Sequence, residues 1–129
     1  MKNVLLVDDD KIFNFLSTKI LERMRVAEEI HVALNGEEAL TLLNNYYQGS
    51  MTVPDVILLD LNMPIMDGFG FLQAFRQLSL PKMERIKIVI VSSSEDPQDI
   101  ARARELGVTY YLSKPLTEEK LRSVLEATE

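Results

Sequence analysis

A chain of 129 residues, 47% hydrophobic and 26% charged, is long enough to form one globular domain that buries roughly two thirds of its unfolded surface without covalent staples. Its formal charge of −6 argues against a phosphate-backbone binder, and the absence of cysteine excludes disulfides and thiolate metal sites. No basic-then-apolar leader stands at Met1-Lys2-Asn3, and no apolar run approaches the roughly 18 residues of a membrane span. A cytoplasmic protein with no membrane or direct nucleic-acid partner is expected.

Val4-Leu5-Leu6-Val7 is a continuous apolar run, the pattern of a strand buried on both faces, and it ends in Asp8-Asp9-Asp10. From Asp10, a natural N-cap, Ile12, Phe13, Leu16, Ile20 and Met24 recur at helical spacing and predict an amphipathic helix. Glu29 to Leu34 is a short, less apolar strand expected at a sheet edge. Asn35 followed three residues later by Glu38 is a helix start, and Ala39, Leu40, Leu42 and Leu43 carry that helix to about Tyr47. Residues 48–54 form the loop into the most apolar run of the chain, Val56-Ile57-Leu58-Leu59.

That run stops at Asp60-Leu61-Asn62-Met63-Pro64, followed by Ile65-Met66-Asp67-Gly68. Asp67 is placed to cap a helix from Phe69 to Leu78 with Phe71, Leu72 and Phe75 on one face, and Pro81 is expected to close it off. Ile86 to Val91 is a fourth strand ending in Ser92-Ser93-Ser94. Asp96-Pro97 opens a helix with Ile100, Ala103 and Leu106 on one face, reaching Gly107. Val108 to Leu112 is a fifth strand, ending in Ser113-Lys114-Pro115. Thr117, with Glu118 and Glu119 behind it, begins a last helix whose Leu121, Val124 and Leu125 face inward.

Five strand-then-helix repeats demand an α/β fold. It is a doubly wound five-stranded parallel sheet, flavodoxin-like order 2-1-3-4-5, with five helices on both faces. Residues 1–129 are expected to be a single domain without an output domain. In such sheets ligands sit outside the carboxyl ends of the strands, at the switch point between the first and third. That rule gathers Asp8, Asp9, Asp10, Asp60, Asn62, Ser92 to Ser94 and Lys114 at one edge.

Clustered carboxylates repel one another and call for a cation, and an all-oxygen set without histidine or cysteine suits Mg²⁺ rather than zinc. A cation, a lysine ammonium and a serine hydroxyl suit the oxygens of a phosphoryl group, and a carboxylate can be a covalent nucleophile toward phosphorus. Asp60, central and following the most apolar run, is the best nucleophile candidate.

Val7-Asp8-Asp9, Leu59-Asp60-Leu61-Asn62-Met63-Pro64 with Met66-Asp67-Gly68, Val91-Ser92-Ser93 and Tyr111-Leu112-Ser113-Lys114-Pro115 resemble, in order and spacing, the receiver domain of two-component response regulators, in particular the chemotaxis regulator. The resemblance spans essentially the whole chain. It implies a phosphorelay protein whose Asp60 accepts a phosphoryl group from a sensor histidine kinase or phosphotransfer protein. It further implies Mg²⁺ held by Asp9, Asp60 and the Asn62 backbone carbonyl, with Asp8 acting through water. Ser92 and Lys114 would bind phosphoryl oxygens, Tyr111 would be the aromatic switch, and the bond before Pro115 would be cis. The output would be a downstream protein partner on the face of the fourth helix, fifth strand and fifth helix. The chain would catalyse only its own phosphorylation and dephosphorylation.

Three other functions compete. A Mg²⁺ phosphatase of the haloacid-dehalogenase kind needs a general acid two residues after its nucleophile, and Asn62 cannot supply one. A nucleotide-binding domain is weakened by the lack of a Gly-x-Gly-x-x-Gly or P-loop pattern. A receiver fold used as an unphosphorylated docking module would not need the full set of site residues present here. His31, the only histidine, reads as a surface or rim residue.

Overall fold

A computed structural model describes residues 2–47, 53–78, 83–94 and 96–125. Five parallel strands, β1 (Lys2–Val7), β2 (Ala27–Ala33), β3 (Val56–Leu59), β4 (Lys87–Ser92) and β5 (Tyr110–Ser113), form one sheet in the order β2-β1-β3-β4-β5. Between and after them run α1 (Lys11–Met24), α2 (Gly36–Tyr47), α3 (Gly68–Gln77), α4 (Pro97–Glu105) and α5 (Glu118–Leu125). The expected fold class and strand order are those observed. The less apolar second strand is at the edge, as its composition required.

The continuous apolar runs are explained by what each strand face meets. Leu5, Val7, Ile57, Leu59 and Ile90 pack with Leu43, Phe71, Leu72 and Ala103 of α2, α3 and α4. Val4, Leu6, Val56, Leu58 and Val89 pack with Leu21, Leu121 and Val124 of α1 and α5 on the other face. Alternate side chains of one strand thus enter two different cores, and neither face can be polar. In register, Val7 lies beside Leu59, so β1 and β3 stop together. The next residues extend the sheet bonding by one step, with Asp8 N–H donating to Ala33 O at 3.0 Å and Asp60 N–H to Val7 O at 2.9 Å. Two aspartates are thereby fixed side by side at the sheet's carboxyl edge.

The caps follow the sequence closely. Asp10 Oδ1 accepts from the N–H groups of Ile12 and Phe13, Asp67 Oδ1 from Gly70, and Asp96 Oδ1 from Gln98. Asn35 Oδ1 accepts from Glu38 N–H at 2.9 Å, while the Glu38 carboxylate reaches back to Leu34 N–H at 3.2 Å. Boundaries differ by at most two residues, and a 3₁₀ turn at Met83–Arg85, absent from the expected elements, precedes β4. The expected loop residues 48–52 and the stop at Pro81 lie outside the described residues.

The face assigned to α1 needs correction. Its buried residues are Asn14, Ser17 and Leu21, whereas Ile12 and Leu16 are 72% and 55% exposed. Phe15 is exposed beside them, and only Phe13, Ile20 and Met24 of the expected stripe reach the core. Hydrophobic spacing misplaces the helix because a polar contact sets its rotation. The Asn14 amide donates to the Asp8 main-chain carbonyl at 2.8 Å, which turns positions 14, 17 and 21 inward.

The loop between β3 and α3 holds a second local exception. Met66 N–H donates to Pro64 O at 2.7 Å, and Ile65 between them has φ of 68°, a γ-turn with positive φ at a β-branched residue. Ile65 is 79% exposed, so no packing offsets the strain. Ile65→Gly is expected to stabilise the fold by roughly 1 kcal/mol, the relief of that conformation less glycine's entropy. Urea unfolding of both proteins measures it, and a destabilised variant would mean that the turn is not strained.

Candidate functional site

The acidic edge begins with Asp8, 3% exposed and tied at three points. Its main-chain carbonyl accepts from Asn14, its Oδ1 accepts from Asp10 N–H at 2.9 Å, and its Oδ2 faces the Lys114 ammonium at 2.8 Å. No aligned hydrogen bond is made to that Oδ2 among the described residues. Asp9 is exposed at the rim, and Asp10 turns away to cap α1. The three consecutive aspartates therefore divide into a buried one, a rim one and a cap. Asp60 completes the group at 6% exposure, and one oxygen from each of Asp8, Asp9 and Asp60 lies within 4.8 Å of the others.

Lys114 is delivered from the end of β5, with its own N–H donating to Ser92 O at 3.0 Å. The ammonium lies 3.8 Å from Asp60 Oδ1 as well as against Asp8, and it rests 4.3 Å from the centre of the Phe13 ring. A single cation thus serves two buried carboxylates. The balance is unfavourable for Asp60, whose carboxyl is pushed up to about 6 by burial first and then by the Asp8 charge. Lys114 and the backbone N–H groups of Asn62 and Leu61 pull it down without restoring the ordinary value.

The remaining expected residues lie in β4 and β5 or just beyond β3 and β5. Asn62 is exposed two residues past Asp60. Ser92 is the last residue of β4 and fully buried, and its Oγ accepts from Ser94 N–H at 3.1 Å. Tyr111, half-buried in β5, donates its hydroxyl proton to Ser94 O at 2.9 Å. The Lys114–Pro115 peptide is cis. Asp10, of the expected group, is engaged as the cap of α1.

The turn beneath Asp60 depends on a close approach. Gly68 donates its N–H to Leu61 O at 3.0 Å, and a Cβ there would lie 2.5 Å from Asp60 O and 2.8 Å from Leu61 Cα. Both obstacles are backbone and cannot rotate away. Gly68→Ala is expected to cost about 2 kcal/mol of stability, as overpacking does, and to displace the peptide that carries Asp60. Thermal unfolding checks the first effect; an unchanged melting temperature would show that the loop gives way freely.

Several site-shaping residues carried no sequence signal. Asn14, Asp99, whose carboxylate accepts from Ser94 Oγ at 2.6 Å, and Lys120 all read as ordinary polar helix positions. Only Asn14 could have been suspected, because its spacing from Asp8 brings it back over the strand end after one helical turn.

The donor set fits Mg²⁺. Three carboxylates against one ammonium leave excess negative charge, all the donors are hard oxygens, and the buried Asp8 Oδ2 retains unused acceptor capacity. A parallel doubly wound sheet carrying an acid group and a lysine at its switch point is the architecture of receiver signalling domains, and comparison with known proteins agrees. The response regulator receiver domain family matches residues 4–126, and the chain belongs to that family. It is 32% identical to a probable chemotaxis protein CheY of Rhizobium etli over 96% of this chain and 89% of that one. It is 30% identical to a probable methanogenesis regulatory protein, FilR2, of Methanothrix harundinacea over 95% and 78% of the two chains. A two-component response regulator from Cytophaga hutchinsonii superposes with a TM-score of 0.88 at 37% identity, covering 98% of this chain and 95% of the other. Receiver domains are signalling modules, and among the described residues no helix is long and apolar enough to cross a membrane.

Proposed function

We propose that residues 1–129 act as one cytoplasmic receiver domain in which Asp60 accepts a phosphoryl group from the phosphohistidine of a sensor kinase or phosphotransfer protein. The observation that carries this reading is the convergence of Asp8, Asp9 and Asp60 within 4.8 Å, with Lys114 against two of them. An Asp60 oxygen forms the new P–O bond as the donor's P–N bond breaks and the imidazole leaves with the electron pair. Asp9, Asp60 and the Asn62 carbonyl would hold Mg²⁺, with Asp8 acting through water. The bound ion would offset charge on the acids and on the transferring oxygens. Lys114 would pair with one phosphoryl oxygen. The chain supplies no further catalysis beyond its own modification and its reversal.

The same contacts support a switch. Ser92 Oγ is here an acceptor for Ser94 N–H, so its own hydroxyl proton is available to a phosphoryl oxygen. Drawing Ser92 toward the phosphoryl group shifts Ser94, whose carbonyl holds the Tyr111 hydroxyl. Tyr111 can then exchange this arrangement for an inward one, and phosphorylation biases the two populations. The output partner would read α4, β5 and α5. The phosphodonor would dock on the exposed Ile12, Phe15 and Leu16 of α1, the helix that follows Asp8 and Asp9 in the chain.

Intact mass after treatment with acetyl phosphate and Mg²⁺ tests the reading. One added phosphoryl group is expected, lost on chelation of the metal before treatment; an unchanged mass in both conditions would overturn it.

A further inference from the structure

Lys120 lies in the first turn of α5, where a cation opposes the helix dipole and acids are favoured. Glu118 and Glu119 obey that preference and Lys120 breaks it. Its contacts explain the exception. The ammonium donates to Ser113 O at 2.8 Å, to Pro115 O at 2.9 Å and to Ser113 Oγ at 3.3 Å. Three donors meet three acceptors, which is the full capacity of an ammonium.

The two carbonyls it holds are those immediately before and after Lys114. Lys114's own N–H is held by Ser92 O. The backbone of Lys114 is thereby fixed on both sides and through its own amide, while Pro115 can donate nothing to the loop. From this base the Lys114 side chain reaches Asp8 at 2.8 Å and Asp60 at 3.8 Å. A long flexible side chain keeps such a reach only if its origin is fixed, because rotamer freedom spreads the ammonium over several ångströms.

We propose that Lys120 is a positioning residue for Lys114, clamping the β5–α5 loop so that the Lys114 ammonium is presented to the phosphoryl group on Asp60. The proposal rests on the reading of Lys114 as a phosphoryl ligand, and its experiment separates the two. Initial rates of mass gain with acetyl phosphate and Mg²⁺ are compared for the wild type, Lys120→Met, Lys114→Ala and the double variant. Lys120→Met is expected to slow labelling about five- to tenfold, below the roughly hundredfold that a 1 Å misplacement can cost. In the Lys114→Ala background the same change is expected to do almost nothing, since residues acting through one another are not additive. Lys120→Arg, which keeps charge and donors, is expected to recover most of the rate. An undiminished effect in the Lys114→Ala background, or a wild-type rate for Lys120→Met, overturns the proposal. A wild-type rate for Lys114→Ala instead removes the role of Lys114 itself, and the clamp falls with it.

Discussion

Asp60→Asn is expected to gain no phosphoryl group from acetyl phosphate and Mg²⁺ under conditions where the wild type is fully labelled. The amide keeps the size and most of the hydrogen bonding of the carboxylate but lacks an anionic oxygen to attack phosphorus. The neighbouring acids are poorly placed to substitute. Asp8 has one oxygen accepting from Asp10 N–H and the other facing the Lys114 ammonium, and Asp9 stands exposed at the rim. Asp60 is buried beside Asp8, with the Lys114 ammonium 3.8 Å from its Oδ1. The adduct is an acyl phosphate, so the wild-type gain is expected to survive acid and to be lost in base. Labelling of the Asp60→Asn protein at the wild-type level would place the acceptor elsewhere and dismantle the mechanism.

The features that identify this site were legible because they coincide with abrupt changes in the chain. Val4 to Val7 and Val56 to Leu59 are apolar because both strand faces are covered, and the first residue beyond each must be polar to face the open edge. Lys114 was legible only through its company, since a lysine before proline is unremarkable by itself. Rotation of α1 was not legible. Apolar periodicity assumes that the core takes the hydrophobic residues, whereas here Asn14 is drawn inward by a carbonyl and Ile12, Phe15 and Leu16 are left outside. A polar anchor rather than apolar burial sets this helix's rotation, which is where patterns based on burial fail. The Lys120 clamp and the γ-turn at Ile65 are likewise set by backbone geometry, which composition does not encode.

The acid pocket should also declare itself in stability. Asp60 carries a folded-state pKa near 6 against an ordinary 3.8, so between those values the folded chain holds a proton that the unfolded chain has released. Stability from this group therefore falls as pH rises through that window; the penalty is absent below it and complete above it. Allowing for water at the pocket mouth, a shift of this size corresponds to about 2 kcal/mol. In chelator at pH 7.5, Asp60→Asn is expected to be more stable than the wild type by about that amount, with the gap closing toward pH 4. Urea unfolding of the two proteins across this range measures the gap, and one that does not change with pH would show that no buried charge is being relieved. Adding Mg²⁺ at pH 7.5 should raise the stability of the wild type more than that of Asp60→Asn, because a ligand stabilises in proportion to its preference for the folded state. The Asp60 charge that weakens the metal-free fold, through burial first and Asp8 repulsion second, is also one that would attract the cation, and removing it should diminish both together.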